Sequence, residues 1–147
     1  MNVITRQVED KSLTVTIEYP RLDSKTQSII KKIKLLDFKI SCNSNDKLCS
    51  LSISDIYYIE TVERKTFIYT EKEIYLSDKK LYELEQMLSE TSMIRISKSC
   101  LMNMDMLHCV KQLLNSQLEA TLTNGEKLIV ARTYLKNIKR ILKEDTR

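Results

Sequence analysis

The 147-residue chain holds one glycine, one proline, one histidine and no tryptophan. With Gly125 alone, neither a GxGxxG nor a GxxxxGK[ST] loop can be built, which excludes phosphate-loop and dinucleotide chemistry. The same scarcity rules out collagen-like and low-complexity character and leaves little flexible linker. No apolar run approaches the roughly 20 residues that cross a bilayer. The opening MNVITRQVEDK lacks the apolar stretch of a signal peptide, so the cytoplasm is the expected compartment. Cys42, Cys49, Cys100 and Cys109 form no CxxC pair, and with only His108 beside them no zinc ligand set is spaced correctly. In a reducing compartment these thiols are expected to act as small apolar residues. His108 lies in an apolar strand pattern and reads as a structural residue. No serine or cysteine sits in a nucleophile motif, and the carboxylate pairs Glu71/Glu73 and Glu83/Glu85 fall on charged outer faces. No catalytic residue, metal or cofactor is expected.

What the chain does have is a 42% apolar fraction, enough for a real core, and 30% charge for a solvated surface. The net charge of +4 is unevenly distributed. From Leu48 to Ser92, five Lys/Arg oppose nine Asp/Glu, 5 − 9 = −4; from Met93 to Arg147, ten oppose five, 10 − 5 = +5. The C-terminal part therefore suits an anionic partner, as would a merely solvated basic face.

Along the chain, SLTVTIEY alternates Leu13, Val15, Ile17 and Tyr19 on one face, a strand pattern that Pro20 ends. DSKTQSIIKKIKLL predicts a helix capped by Asp23 or Ser24, with Ile29, Ile33 and Leu36 on one face. FKISC predicts a second short strand, and the polar, turn-rich Ser41 to Lys47 is the best domain boundary. The expected organisation is a small β-α-β module over residues 1–44, then a mainly β domain over 45–147. In the latter, IYYIET, TFIYT and EIYLS read as strands with a turn at Glu63-Arg64-Lys65. DKKLYELEQMLSE reads as a helix that Asp78 can cap, with Leu81, Leu84 and Leu88 on one face. MLHCVKQL is a strand, and LEATLTNGEKLIVA a hairpin turning at Asn124-Gly125. RTYLKNIKRILKE closes the chain as a helix, with Thr133 as its N-cap and Leu135, Ile138 and Leu142 facing the core. A helix-turn-helix has no place in this order, because strands separate the helices.

The stretch MIRISKSCLMNMD is the least ordinary. Ile94 and Ile96 set a strand rhythm, and its continuation would bury Lys98 on their face. An unpaired buried lysine is costly, so the chain is expected to change direction there, leaving a cation and two hydroxyls at a corner.

The ordered set ISDIYYIET, TFIYT, YELEQML, IRISKSCLMNMDML and LTNGEKLIVARTYLKNIK, from about Leu48 to Lys143, resembles the LytTR DNA-binding domain of bacterial transcription regulators. One family hallmark is a strand ending Arg-x-His/Ser-Arg/Lys-Ser, then an apolar triplet and Asn. Here these are Arg95 to Ser99, Cys100-Leu101-Met102 and Asn103. The other is Asn-Gly or similar, a strand, and Ser/Ala-Arg-x-Tyr before the last helix: Asn124-Gly125, Leu128 to Val130, and Ala131-Arg132-Thr133-Tyr134.

The resemblance implies an elongated, mainly antiparallel β fold that presses loops into successive major grooves at repeated sites. It implies DNA contacts from Ser97, Lys98 and Ser99 at a strand-to-helix corner. Arg132 and Lys136 are placed at the last helix, and Arg64 and Lys65 in a third loop. Lys98 and Arg132 are each expected to precede a short helix whose free N–H groups favour a phosphate. Solvation for Lys98 and Lys65, and an ion pair for Arg132, are the structural alternatives. The resemblance further implies a stand-alone transcription regulator with a short N-terminal extension, since 47 or so residues cannot hold a receiver domain. Its implied partners are double-stranded DNA, a second copy in a homodimer, and a small membrane protein that inhibits it. A protein-interaction module binding an acidic or membrane-associated partner is the alternative.

Overall fold

The computed structural model describes residues 1–145. It is mostly antiparallel β with three α-helices, as expected. Helix α1 (Ser24–Lys34) starts at Asp23, whose carboxylate accepts a hydrogen bond from the Thr26 N–H at 2.7 Å. That bond holds the Asp23 carboxyl below its usual range.

The N-terminal strand is not formed. Residues 11–19 carry no regular secondary structure, and Leu13 is 95% exposed. The alternation is present, but no second strand offers its backbone groups a partner. The polar stretch Ser41 to Lys47 is itself structured. Strands β1 (Lys39–Ser44) and β2 (Lys47–Ser52) form a hairpin around Asn45 and Asp46, both left-handed (φ 48° and 64°). β1 also pairs with β5 (Ile74–Ser77) through Asn43 and Leu76, which joins this hairpin to the main sheet.

That sheet has seven strands in the order β2-β1-β5-β4-β3-β7-β6, with β3 (Ile56–Val62), β4 (Lys65–Thr70), β6 (Met93–Ser97) and β7 (Cys100–Asn103). Side chains alternate between its faces. Ile59, Ile68 and Leu101 point to one core with Leu81, Leu84 and Leu88, the stripe of helix α2 (Leu81–Met87) and its C-cap. Tyr58, Cys100 and Met102 point to the other. There they meet Leu118, Ala120, Leu122 and Val130 of a three-stranded sheet, β8 (Leu107–Gln112), β9 (Leu118–Leu122) and β10 (Lys127–Val130). Helix α3 (Leu135–Asp145) completes that core with Ile138, flanked by Leu135 and Leu142 as expected.

Two caps differ from expectation. Asp78 does not cap α2 but accepts a hydrogen bond from the Asn43 amide at 3.2 Å, and Glu83 reaches back to the Lys80 N–H at 2.9 Å. Thr133 lies inside a 3-10 turn, Arg132–Tyr134, that leads into α3. His108 is exposed on β8 rather than packed. Among the described residues, no helix is long and apolar enough to cross a membrane.

Candidate nucleic-acid interface

The corner at Lys98 is a β-hairpin turn, not a strand-to-helix junction. Lys98 and Ser99 join β6 directly to β7, and both are exposed. No helix N-terminus therefore stands behind Lys98; only Arg132 opens a short 3-10 turn. The chain turns here because Ser97 holds it: its Oγ accepts a hydrogen bond from the Ser99 N–H at 3.2 Å and lies 3.4 Å from the Ser99 hydroxyl. Ser97 is thus half-buried and occupied within the turn, whereas Lys98 and Ser99 face solvent.

Arg95 braces the same turn from below. Its Nε donates to the Ser97 carbonyl at 2.6 Å, one terminal nitrogen donates to the Lys98 carbonyl, and the other pairs with Glu85 of α2 at 2.7 Å. The guanidinium fork is suited to this, since it offers several donors in one rigid plane. Asn103, the last residue of the hallmark, is 1% exposed and equally structural. Its amide donates to the carbonyls of Ile56 at 2.8 Å and Ile53 at 3.3 Å, and its oxygen accepts from the Asp105 N–H. Sequence reasoning singled out neither as a positioning residue. A charged or amide side chain between apolar neighbours was the signal for both, because such groups are buried only with partners.

Pairing brings the other expected residues to one end of the sheet. β3 and β7 are antiparallel with Glu60 opposite Cys100, and the Thr61 N–H donates to the Ser99 carbonyl at 2.8 Å. The β3–β4 turn therefore lies at the same sheet end as the β6–β7 turn. In it, Glu63 and Arg64 are left-handed (φ 49° and 68°), and Arg64 and Lys65 are exposed. From the opposite edge, the Ala131 N–H donates to the Ile96 carbonyl at 2.9 Å, which seats the neighbouring Arg132 beside β6 just before the Lys98 turn. Arg132 is exposed, and Lys136, in the first turn of α3, is exposed too. The helix adds exposed Lys139 and Arg140, which sequence reasoning did not single out.

Behind this end, the Cys100 thiol and the Tyr58 phenol are held in their protonated forms. Burial pushes the Cys100 thiol up to about 12. Burial, and then the Glu126 carboxylate, push the Tyr58 phenol up, and its ring stacks on Tyr69 at 4.2 Å. All four cysteines are free thiols, with Cys109 exposed. Among the described residues, no group of three or more His, Cys, Asp or Glu side chains is arranged to hold a metal.

Residues 46–143 match the family model of the LytTr DNA-binding domain. The sensory transduction protein LytT of Bacillus anthracis is 24% identical over 149 residues, covering 97% of this chain and 61% of its own length. LytT of Enterococcus faecalis is 29% identical over 100 residues, covering 68% of this chain and 41% of its own length. The chain thus spans about half the length of these two relatives. An uncharacterised HTH-type transcriptional regulator of Staphylococcus aureus is 28% identical over 130 residues, covering 85% of this chain and 86% of its own. In fold, a solved LytTr DNA-binding domain from Bacillus cereus superposes with a TM-score of 0.66 at 22% identity, covering 71% of this chain and 95% of that one.

Proposed function

The chain belongs to the LytTr DNA-binding domain family, and from that premise we propose that it is a sequence-specific, double-stranded-DNA-binding transcriptional regulator acting in the cytoplasm. The observation that carries the proposal is the gathering of Lys98, Ser99, Arg64, Lys65 and Arg132 at one sheet end, all exposed, from three segments distant in sequence. Turns of this size can enter a major groove, which is about 12 Å wide. Arg132 is assigned to a base edge, because its planar fork can bond guanine in bidentate fashion. Lys98, a flexible point charge, is assigned to a phosphate, with Ser99 beside it. Arg64, Lys65 and Lys136 supply further phosphate contacts, and Ser97 acts by shaping the turn rather than by touching DNA.

A homodimer with one copy on each repeat is part of the proposal, and so is a small membrane protein as its inhibiting partner. Selection of bound fragments from genomic DNA tests the reading. A recurrent pair of short repeats supports it, and random recovery that vanishes with salt would refute it, because purely phosphate-driven binding has no preferred sequence.

A further inference from the structure

Strands β1 and β2 set two thiols opposite one another. Cys42 pairs with Cys49 in the antiparallel register, and residues directly opposite share one face of a sheet. The Cys42 Sγ lies 3.7 Å from the Cys49 carbonyl oxygen. Neither other cysteine faces a thiol: Cys100 stands opposite Glu60 and Ser97, and Cys109 opposite Thr121. The two-residue turn Asn45-Asp46 makes Ser44 and Lys47 a hydrogen-bonded pair, and such pairs alternate along the ladder, so Cys42 and Cys49 form the next one. Opposite Cα atoms in such a pair are about 5.5 Å apart, inside the roughly 4.4–6.8 Å that a disulfide spans. Their Cβ atoms, about 4.5–5.5 Å apart, are wider than the usual roughly 3.5–4.5 Å. A bond here therefore closes under strain and is readily reduced again.

We propose that Cys42 and Cys49 are a thiol–disulfide site, open under reducing conditions and closed reversibly into a cross-strand disulfide by a low-molecular-weight disulfide oxidant. Accessibility orders the steps. β2 is the outer strand of the seven-stranded sheet, and Cys49 on it is only half-buried, whereas Cys42 is 1% exposed. The Cys49 thiolate attacks one sulfur of the oxidant RSSR; a new Sγ–S bond forms, the old S–S bond breaks and RS⁻ leaves. The Cys42 thiolate then attacks the Cys49 Sγ and expels the second RS⁻. The two protons shed by the cysteines pass to the two RS⁻, so two protein thiols are oxidised and one RSSR is reduced to two RSH. Burial, and then the neighbouring Cys49, push the Cys42 thiol up to about 11, so the closing step quickens as pH rises. The site lies away from the Lys98 turn. Ser44, at the hairpin tip, is 3.4 Å from Glu73 between β4 and β5, at the other end of β4 from Lys65. The proposal thus stands independently of how the sheet end meets DNA.

The test is disulfide mapping in the full, folded chain. The reduced protein is freed of reductant, exposed to oxidised glutathione, blocked with N-ethylmaleimide and digested with trypsin. Cleavage after Lys39, Lys47 and Arg64 places the two cysteines on separate peptides, 40–47 and 48–64. Expected as the main product is these two peptides joined with the loss of two hydrogens, and separated again once reduced glutathione is restored in excess. Glutathione on the exposed Cys109 shows that the oxidant was active. Cys42→Ala should accumulate glutathione on Cys49, and Cys49→Ser should leave Cys42 unmodified. Circular dichroism checks that each variant is folded, and where one is not, the mapping of the parent decides alone. Unlinked peptides in a parent whose Cys109 carries glutathione overturn the proposal. So does a parent that stalls with glutathione on Cys49, a Cys42 bonded instead to Cys100 or Cys109, or a bond that survives excess reduced glutathione.

Discussion

Replacing Arg95 by alanine should loosen the Lys98 turn without touching DNA itself. The substitution removes an ion pair with Glu85 at 2.7 Å and two bonds to the turn carbonyls of Ser97 and Lys98. The pair's side chains are 19% and 45% exposed, so its own contribution is under about 1 kcal/mol. Each carbonyl bond contributes about 0.5–1 kcal/mol, at the low end because water can reach the turn once the side chain is gone. The sum is about 2 kcal/mol, which for a domain of this size lowers Tm by roughly 4–8 °C. Glu85→Ala removes only the ion pair, so its melting shift should be less than half as large. On DNA, Arg95→Ala should weaken binding because Lys98 is no longer held in place. The cycle of Arg95→Ala, Lys98→Ala and the double variant, read by thermal melting and duplex titration, separates the roles. The affinity losses should fall well short of additive, since both residues act through one turn. Full additivity, or an Arg95→Ala protein that melts with the parent, would refute this reasoning.

Lys98→Ala should weaken repeat-bearing and scrambled duplexes alike and lower the salt dependence by about one phosphate's worth, as measured by titration across a salt series. Relaxed preference at a single base pair would instead make Lys98 a reader. Asn103→Ala strands the Ile53 and Ile56 carbonyls and the Asp105 N–H, so denaturant unfolding should show a loss of about 2–3 kcal/mol. Cys42 and Cys100 have thiols raised to about 11 and about 12, chiefly by burial, against an ordinary 9.0. A raised folded pKa favours the native state below the unfolded value and loses that advantage as pH climbs toward the folded one. Tm should therefore fall as pH rises above about 9, and Cys42→Val with Cys100→Val should blunt that fall while leaving DNA affinity at neutral pH unchanged.

The parts of the fold legible in the sequence were those in which local pattern and tertiary partner agree. β3, β4 and α3 formed as read because their apolar residues have a facing layer, and Gly125 takes the left-handed φ of 89° at the predicted hairpin. Leu13 to Tyr19 has equally clear alternation and no strand, since periodicity reports a face without showing that anything pairs with it. Asn45-Asp46 was missed because polar composition suits a linker as well as a tight turn. Only the flanking strands and two left-handed Asx residues decide for the hairpin. At the site, the exposed cations were legible as types, but their gathering follows from the β3–β7 pairing and the Ala131–Ile96 bond, which no local pattern encodes. Arg95 lay in plain view within the motif. Its role depends on Glu85 and on two carbonyls placed by the turn, so it emerges only in three dimensions.

The central claim is that this sheet end reads DNA sequence, with Arg132 on a base. The direct measurement is equilibrium binding of the parent and Arg132→Ala to a selected repeat duplex and to its full set of single-base-pair variants, at fixed salt. The parent should show preferences within each repeat. Arg132→Ala should lose about 1–3 kcal/mol on the selected duplex and nearly nothing on duplexes already changed at one particular base pair, which marks the base it reads. Uniform weakening across every duplex would make Arg132 a phosphate contact, and unchanged binding to all of them would contradict the account of this interface.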